Sequence, residues 1–227
     1  MAGRGRGLGR AAVVVGLLGV LVGVGGFAFL QHSFGGSVVA GDNMTPTHAR
    51  GDRIVYERID GSEVRRGDVV VLSAPDRYGF DELIIMRVIG VGGDRVACCA
   101  GTGADARVSV DGEPLDEPYL EGGEADGGFV MPRYDVTVPE GRLFLLGDHR
   151  ALARDSRAFV DDQGGTLPAS VIRGRVIDDY SVPVFLGAAM ILGVVCVLTA
   201  VGLGIAAVVV RREARVGPPA PPWVVRV

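Results

Sequence analysis

The sequence predicts a mainly β fold, an antiparallel β domain with one transmembrane helix at each end, and three observations carry that reading. Hydrophobic residues make up 48% of the chain against 22% charged, and the excess gathers in two runs near the ends. Between those runs, short β-prone segments are separated by Gly, Pro and Asp. No helical periodicity of useful length appears among them. At 227 residues the chain suits one core plus appendages, since a single core stays economical up to about 250 residues.

The first ten residues form a basic N-terminus with Arg4, Arg6 and Arg10. Residues 11–30, AAVVVGLLGVLVGVGGFAFL, carry no charge and are long enough for a hydrocarbon core that needs about 20 helical residues. The run exceeds the about 7 to 15 residues of a signal-peptide core and no A-x-A site follows it directly, which favours an uncleaved anchor. The second span is 184–210, opened by Pro183 and closed by Arg211, Arg212 and Arg215. A Pro-rich tail, 211–227, follows it. Because arginines flank the outer ends of both spans, the positive-inside rule predicts a two-pass plasma-membrane protein with both termini cytoplasmic. Residues 31–183 then form an extracytoplasmic domain.

Within that domain DRIVYERI (Asp52 to Ile59) alternates as a half-buried strand does, and RGDVVVLSAP (Arg66 to Pro75) is a compact apolar run after a turn signal. LIIMRVIGVGGDRVACC (Leu83 to Cys99) is longer. Asp111-Gly112 is the pair that favours a tight hairpin, two further strands flank Pro139-Glu140-Gly141, and VIRGRVI (Val171 to Ile177) leads to the second span. Leu120 to Met131, rich in Gly and acidic residues, is expected to be a loop.

The net charge of −4 hides two basic flanks, so the middle domain is more acidic than the whole, and nothing points to nucleic acid. Cys98 and Cys99 are adjacent and Cys196 lies inside the second span, which is no disulfide framework. A vicinal disulfide is open to the pair, but two small buried side chains are the blander reading. All 23 basic residues are arginines; the chain contains no lysine. GC-rich coding fits the abundance of Ala, Gly, Val and Arg, and the chemical consequence holds whatever the origin.

Six blocks in order, GDNMTPT with GDRIVY, RRGDVVVL, IIMRVIGVGGDRV, VDGEPLDEPYL and LLGDHRALARDSR after an N-terminal anchor, resemble a type I signal peptidase of the S26 family, in its actinobacterial form with a C-terminal span. The likeness runs from Ala11 to Val210. It implies a membrane-bound serine endopeptidase of signal-peptidase fold that removes signal peptides from exported proteins, with a serine nucleophile just before Met44 and a lysine base just before Arg87. A serine hydroxyl is inert at neutral pH until a base takes its proton, and a lysine serves only if burial lowers its pKa. Here those positions hold Asn43 and Met86, and the position that supports the base in the family holds Ala153. A carboxamide is no such nucleophile, and a thioether accepts no proton at useful pH. Arg87 stays protonated. Asp148, Arg150, Asp155, Ser156 and Arg157 remain from the last block and are expected to fold that corner through an Asp155–Arg157 charge network.

Three histidines are candidate substitutes: His32 beside the first span, His48 in the nucleophile loop and His149 in GDHR. Neither His48 nor His149 falls on the base position. Thr45 or Thr47 with a histidine is in principle a weak dyad, but Thr47 bracing the turn after Pro46 is the plainer reading. Asp161-Asp162 and Asp178-Asp179 lack metal-ligand spacing, and no cofactor is implied. Substrate binding falls on Val39, Gly41, Met44, Ile84 and Ile85, with Val38 and Leu83 beside them; the same residues would also serve as ordinary core. Two functions follow as expectations. One is a pseudoenzyme whose partners are membrane lipid and either signal peptides of exported preproteins or active signal peptidases. The other is an active peptidase with an unconventional nucleophile or a partner's residues.

Overall fold

The computed structural model describes residues 2–100, 106–120, 125 and 133–216. In chain order the elements are α1 (Ala2–Ser33), β1 (Phe34–Val38), β2 (Arg53–Glu57), β3 (Val69–Leu72), α2 (Pro75–Tyr78), β4 (Ile84–Val91), β5 (Arg95–Ala100), β6 (Arg107–Val110), β7 (Glu113–Pro114), β8 (Tyr134–Thr137), β9 (Arg142–Leu146), β10 (Leu167–Pro168), β11 (Ile172–Val176) and α3 (Ser181–Val216). They divide into a β unit, Ser33–Asp178, and a second unit that holds the terminal helices.

The β unit has a seven-stranded sheet in the order β1-β2-β11-β3-β4-β9-β10 and a four-stranded sheet in the order β7-β6-β5-β8. Every pairing in both is antiparallel. β2 alternates from buried Ile54 and Tyr56 to outward Arg53, as DRIVYERI predicts. β3 and β4 are buried through most of their lengths, which is why they read as continuous apolar runs. The β6–β7 hairpin turns at Asp111 and Gly112, whose φ angles of 55° and 86° are the left-handed pair that a two-residue hairpin needs. β8 and β9 flank Pro139-Glu140-Gly141 but belong to different sheets, so that turn is a corner. One short helix escapes the sequence reading: α2 starts on Pro75, whose fixed φ suits a first helical turn, and ends where the Gly79 N–H returns to the Pro75 carbonyl.

Three buried clusters fill the unit. Val70, Leu72, Met86, Val88, Leu143 and Leu145 belong to one, and Ile89, Val96, Val108, Tyr134, Phe144 and Leu146 to a second, which joins residues of both sheets. Val39, Met44, Ile54, Tyr56, Val71 and Ile85 form the third, under the β1–β2 loop. Of the expected loop at 120–131, only Leu120 and Ala125 are described, and both are buried; the rest lies outside the described residues.

The half-exposed Cys98 and Cys99 are paired in a vicinal disulfide, which corrects the expectation of two buried thiols. The register of β5 against β6 shifts between Cys98 and Ala100. Cys99 thus falls at an irregularity where the strict alternation of side chains between faces is interrupted.

The terminal helices are each long and apolar enough to cross a membrane, over Gly7–Ser33 and Ser181–Arg212, wider than the spans expected at 11–30 and 184–210. Asp179 Oδ1 accepts from the Ser181 N–H at 2.8 Å, so α3 begins two residues before Pro183, which is tolerated in the first turn where no intrahelical donor is needed. The two helices approach through small residues. A Cβ on Gly19 would stand 2.7 Å from the Gly193 carbonyl, and one on Gly193 2.8 Å from the Gly19 carbonyl. In lipid, where apolar side chains gain nothing by leaving the solvent, such close backbone approach is a main source of helix attraction.

Candidate functional site

The β1–β2 loop carries Asn43. Its base is closed by Val39 N–H to the Asp52 carbonyl and Gly51 N–H to the Val39 carbonyl, each 2.9 Å. Met44 is fully buried in the cluster beneath and so fixes the loop from below. It therefore does not line the groove described next, although the sequence places it among the candidate binding residues. The Asn43 side chain reaches across to β4 and donates from Nδ2 to the Ile85 carbonyl at 2.6 Å. Its own carbonyl accepts from the His149 N–H at 3.1 Å.

Beside this bridge lies a groove of about 470 Å³, lined by Val38, Val39, Gly41 and Asn43 on one wall and Leu83, Ile84, Ile85 and Met86 on the other. Val39, Gly41, Ile84 and Ile85 are thus brought together around one groove. Tyr78, Phe80, Leu152 and Arg154 also line it, with the carboxylates Asp42 and Glu82 among the further lining residues, and sequence reasoning missed them. The only cue was the aromatic pair in PDRYGF after an apolar strand.

Met86 is 2% exposed and packs with Val70, Leu72 and Val88. The Tyr78 hydroxyl stands 3.9 Å from its sulfur. Burial first, and the charge of Asp155 second, push that phenol up to about 12, so Tyr78 is held protonated and is no base. Ala153 lies between the groove-lining Leu152 and Arg154 and donates its N–H to the His149 carbonyl at 3.0 Å. Its methyl abuts Gly147, where an added Cβ would collide with Ala153 and with the Asn43 carbonyl. Position 147 must therefore be glycine for the loop to close on this corner.

Asp148, Arg150, Asp155 and Arg157 of the last block are all buried and all engaged. Asp148 takes Arg87 bidentately at 2.8 and 2.6 Å, and the Thr47 hydroxyl at 2.5 Å. This one carboxylate joins the nucleophile loop, the base strand and the GDHR turn. Burial would lower the Arg87 pKa, but the Asp148 bonds outweigh it and the net direction is up. Arg87 also stacks over Tyr119 at 3.8 Å. Arg157 holds Asp155 through Nε and Nη2 at 2.9 and 2.8 Å and reaches the Arg150 carbonyl at 2.6 Å. Asp155 accepts from the Gly147 N–H, and Ser156 Oγ from the Leu145 N–H. Arg150 pairs with Glu117 and bonds the Gly147 and Ala125 carbonyls. Glu117 was missed because its partner is 33 residues away. A signal lay in the DEPYL block, where an acidic residue stands among apolar ones.

The histidines do not rebuild a dyad in the groove. Thr45 Oγ1 lies 2.8 Å from His149 Nδ1, but it also lies 2.9 Å from the Asp42 carbonyl, to which it donates. A hydroxyl has one hydrogen, so while it is given to Asp42 the imidazole can only donate. Neither residue lines the groove. Thr47 is the brace its position suggests. Asp162 pairs with Arg77 and Asp179 caps α3, so these members of the acidic pairs have structural partners.

A family model described as "Signal peptidase, peptidase S26" matches residues 10–179. Signal peptidase I of Bacillus caldolyticus is 32% identical over 154 residues, covering 63% of this chain and 77% of its own length. A probable signal peptidase I of Mycobacterium leprae is 28% identical over 192 residues, covering 61% and 65%. Among solved structures, a signal peptidase I of Enterococcus faecalis matches 50% of this chain and 97% of its own, at 23% identity and a TM-score of 0.37.

Proposed function

The chain belongs to the signal peptidase family, peptidase S26, and from that premise we propose that it is a non-cleaving member, anchored twice in the plasma membrane, that keeps the groove for the residues preceding a cleavage site. Both termini are cytoplasmic in this reading, following the arginines that flank the spans. Signal peptides of exported preproteins occupy the groove, and active signal peptidases are the alternative partner.

The observation that carries the reading is the pair of side chains at the reaction centre. The nucleophile position is an amide already committed to the Ile85 carbonyl, and the base position is a thioether buried in the core. Neither can take a proton from an attacking oxygen. With no lysine in the chain and every nearby arginine permanently protonated, no amine replaces the missing base, and the two carboxylates that line the groove, Asp42 and Glu82, are both exposed to solvent.

The test is cleavage of a preprotein with an alanine-x-alanine site by the purified full chain. No turnover is expected from the unaltered protein, and turnover from the triple variant Asn43→Ser, Met86→Lys, Ala153→Ser. Efficient cleavage by the unaltered protein overturns the reading, and an inert but folded triple variant argues that the groove itself is lost.

A second reading, an active peptidase with an unconventional nucleophile, draws on the 2.8 Å Thr45–His149 contact. It requires that Thr45→Val and His149→Ala each abolish whatever cleavage is seen.

A further inference from the structure

We propose that the Asn43 carboxamide is a latch on the groove: it occupies the main-chain acceptor that an incoming extended peptide must use, and peptide binding requires its release. The inference rests on reading the groove as a site for an extended peptide with small apolar side chains.

β4 pairs with β3 over Ile84 to Arg87 and with β9 only from Arg87 onward. Over Ile84 to Met86, therefore, one edge of β4 has no strand partner among the described residues. The direction of that edge follows from Val88, whose N–H goes to the Asp68 carbonyl at 2.9 Å and whose carbonyl accepts from the Gly67 N–H at 2.8 Å. Both peptide groups of Val88 face the β3 side. In an antiparallel ladder that direction alternates residue by residue, so Met86 also faces β3, while the N–H and carbonyl of Ile85 face the open edge. An open edge flanked by apolar side chains is where an extended peptide adds as a strand.

Asn43 Nδ2 lies on that edge, 2.6 Å from the Ile85 oxygen. A carboxamide N–H is the same kind of donor as a peptide N–H, so the side chain stands in the place of an incoming strand. A peptide that pairs with Ile85 must turn Asn43 aside, exchanging one neutral hydrogen bond for another. Removing the amide leaves the acceptor free. From the net worth of a neutral hydrogen bond, this gain is about fivefold in affinity.

The experiment is fluorescence anisotropy of a labelled alanine-x-alanine peptide titrated with the full chain in phosphatidylcholine nanodiscs, comparing the unaltered protein with Asn43→Ala and Asn43→Asp. Both variants are expected to bind about fivefold tighter, and N-methylation of one backbone position of the peptide is expected to remove the gain. Equal or weaker binding by both folded variants overturns the latch and leaves the groove reading standing. No binding by any of the three proteins overturns both. Should the variants fail to fold, the side-chain amide resonances of Asn43 in the unaltered chain report the same event. They shift on saturation with peptide if the latch opens, and unmoved resonances overturn it.

Discussion

Asn43, Met86 and Ala153 meet one corner of the β domain; Asp148, Arg150, Asp155, Ser156 and Arg157 build it. The first group is neutral, with Met86 in the apolar core and Ala153 reduced to a methyl against Gly147. The second is charged or polar and buried, with Asp148 and Asp155 fully inaccessible and each carboxylate answered by a guanidinium. Buried ion pairs are poor sources of net stability, yet breaking one is costly because the remaining charge stays out of water. Such residues are hard to change one at a time without unfolding the corner. A reaction-centre lysine is the reverse case. It is a buried amine kept neutral for its chemistry, and replacing it with an apolar side chain of similar length relieves the domain of the cost of holding an ionisable group out of water. On the proposed reading, the contrast accounts for a corner that gives up proton chemistry and keeps its shape.

The largest expected effect is on the charged side of this contrast. Asp155→Ala removes both carboxylate oxygens from Arg157 and one from the Gly147 N–H, leaving a guanidinium that is 2% exposed. A loss of about 3–5 kcal/mol is expected, read as a drop in the thermal midpoint of the β domain. Loss below about 1 kcal/mol would mean that Arg157 is held by its bond to the Arg150 carbonyl instead.

Next comes the neutral side. Met86→Lys alone places an ammonium in the core with no hydroxyl at 153 to receive it. Burial depresses such a lysine by about 3 units or more, equivalent to about 4 kcal/mol at pH 7. The folded pKa lies below the unfolded value, so the unfolded state binds more protons in between, and stability rises with pH across that window up to about 10. Thermal midpoints of the variant and the unaltered chain at pH 6, 8 and 10 check this. A gap that does not narrow with pH would mean that the lysine reaches water along the groove.

Much of this was legible in the chain, because what the sequence encodes locally is what the structure realises locally. The strand at DRIVYERI, the turn at Asp111-Gly112 and the apolar spans need only neighbours in sequence. Family blocks supplied the rest of the candidate site, including the opposed walls at Val39 and Ile85. What stayed hidden depends on partners far along the chain. Met44 stands next to Asn43 in the chain, but the loop turns it into the cluster with Ile54 and Val71. The Ile85 acceptor of Asn43 lies 42 residues on, and no local pattern names it. Gly16, Gly19, Gly23 and Gly26 recur at helical spacing, yet the face of α3 that they meet is fixed only by packing.

The smallest effect tests the joint between the two groups. Thr47 belongs to the same loop as Asn43, and its hydroxyl donates to Asp148 at 2.5 Å; it is the side chain by which a buried carboxylate of the corner holds that loop. Thr47→Val keeps the shape and removes one hydrogen bond to a charged acceptor, which is worth about 1.5–3 kcal/mol in general. Asp148 keeps its two bonds from Arg87, so the low end is expected here. The same substitution removes one of the loop's ties to the corner, leaving the Thr45–His149 contact, the His149 N–H bond to the Asn43 carbonyl and the Asn43–Ile85 bond in place. Hydrogen exchange at residues 43–48 should therefore quicken, while exchange in β9 stays unchanged. If β9 loosens as well, the corner depends on the loop for its own order, and the separation between a shape-keeping region and a chemistry-bearing one fails at this residue.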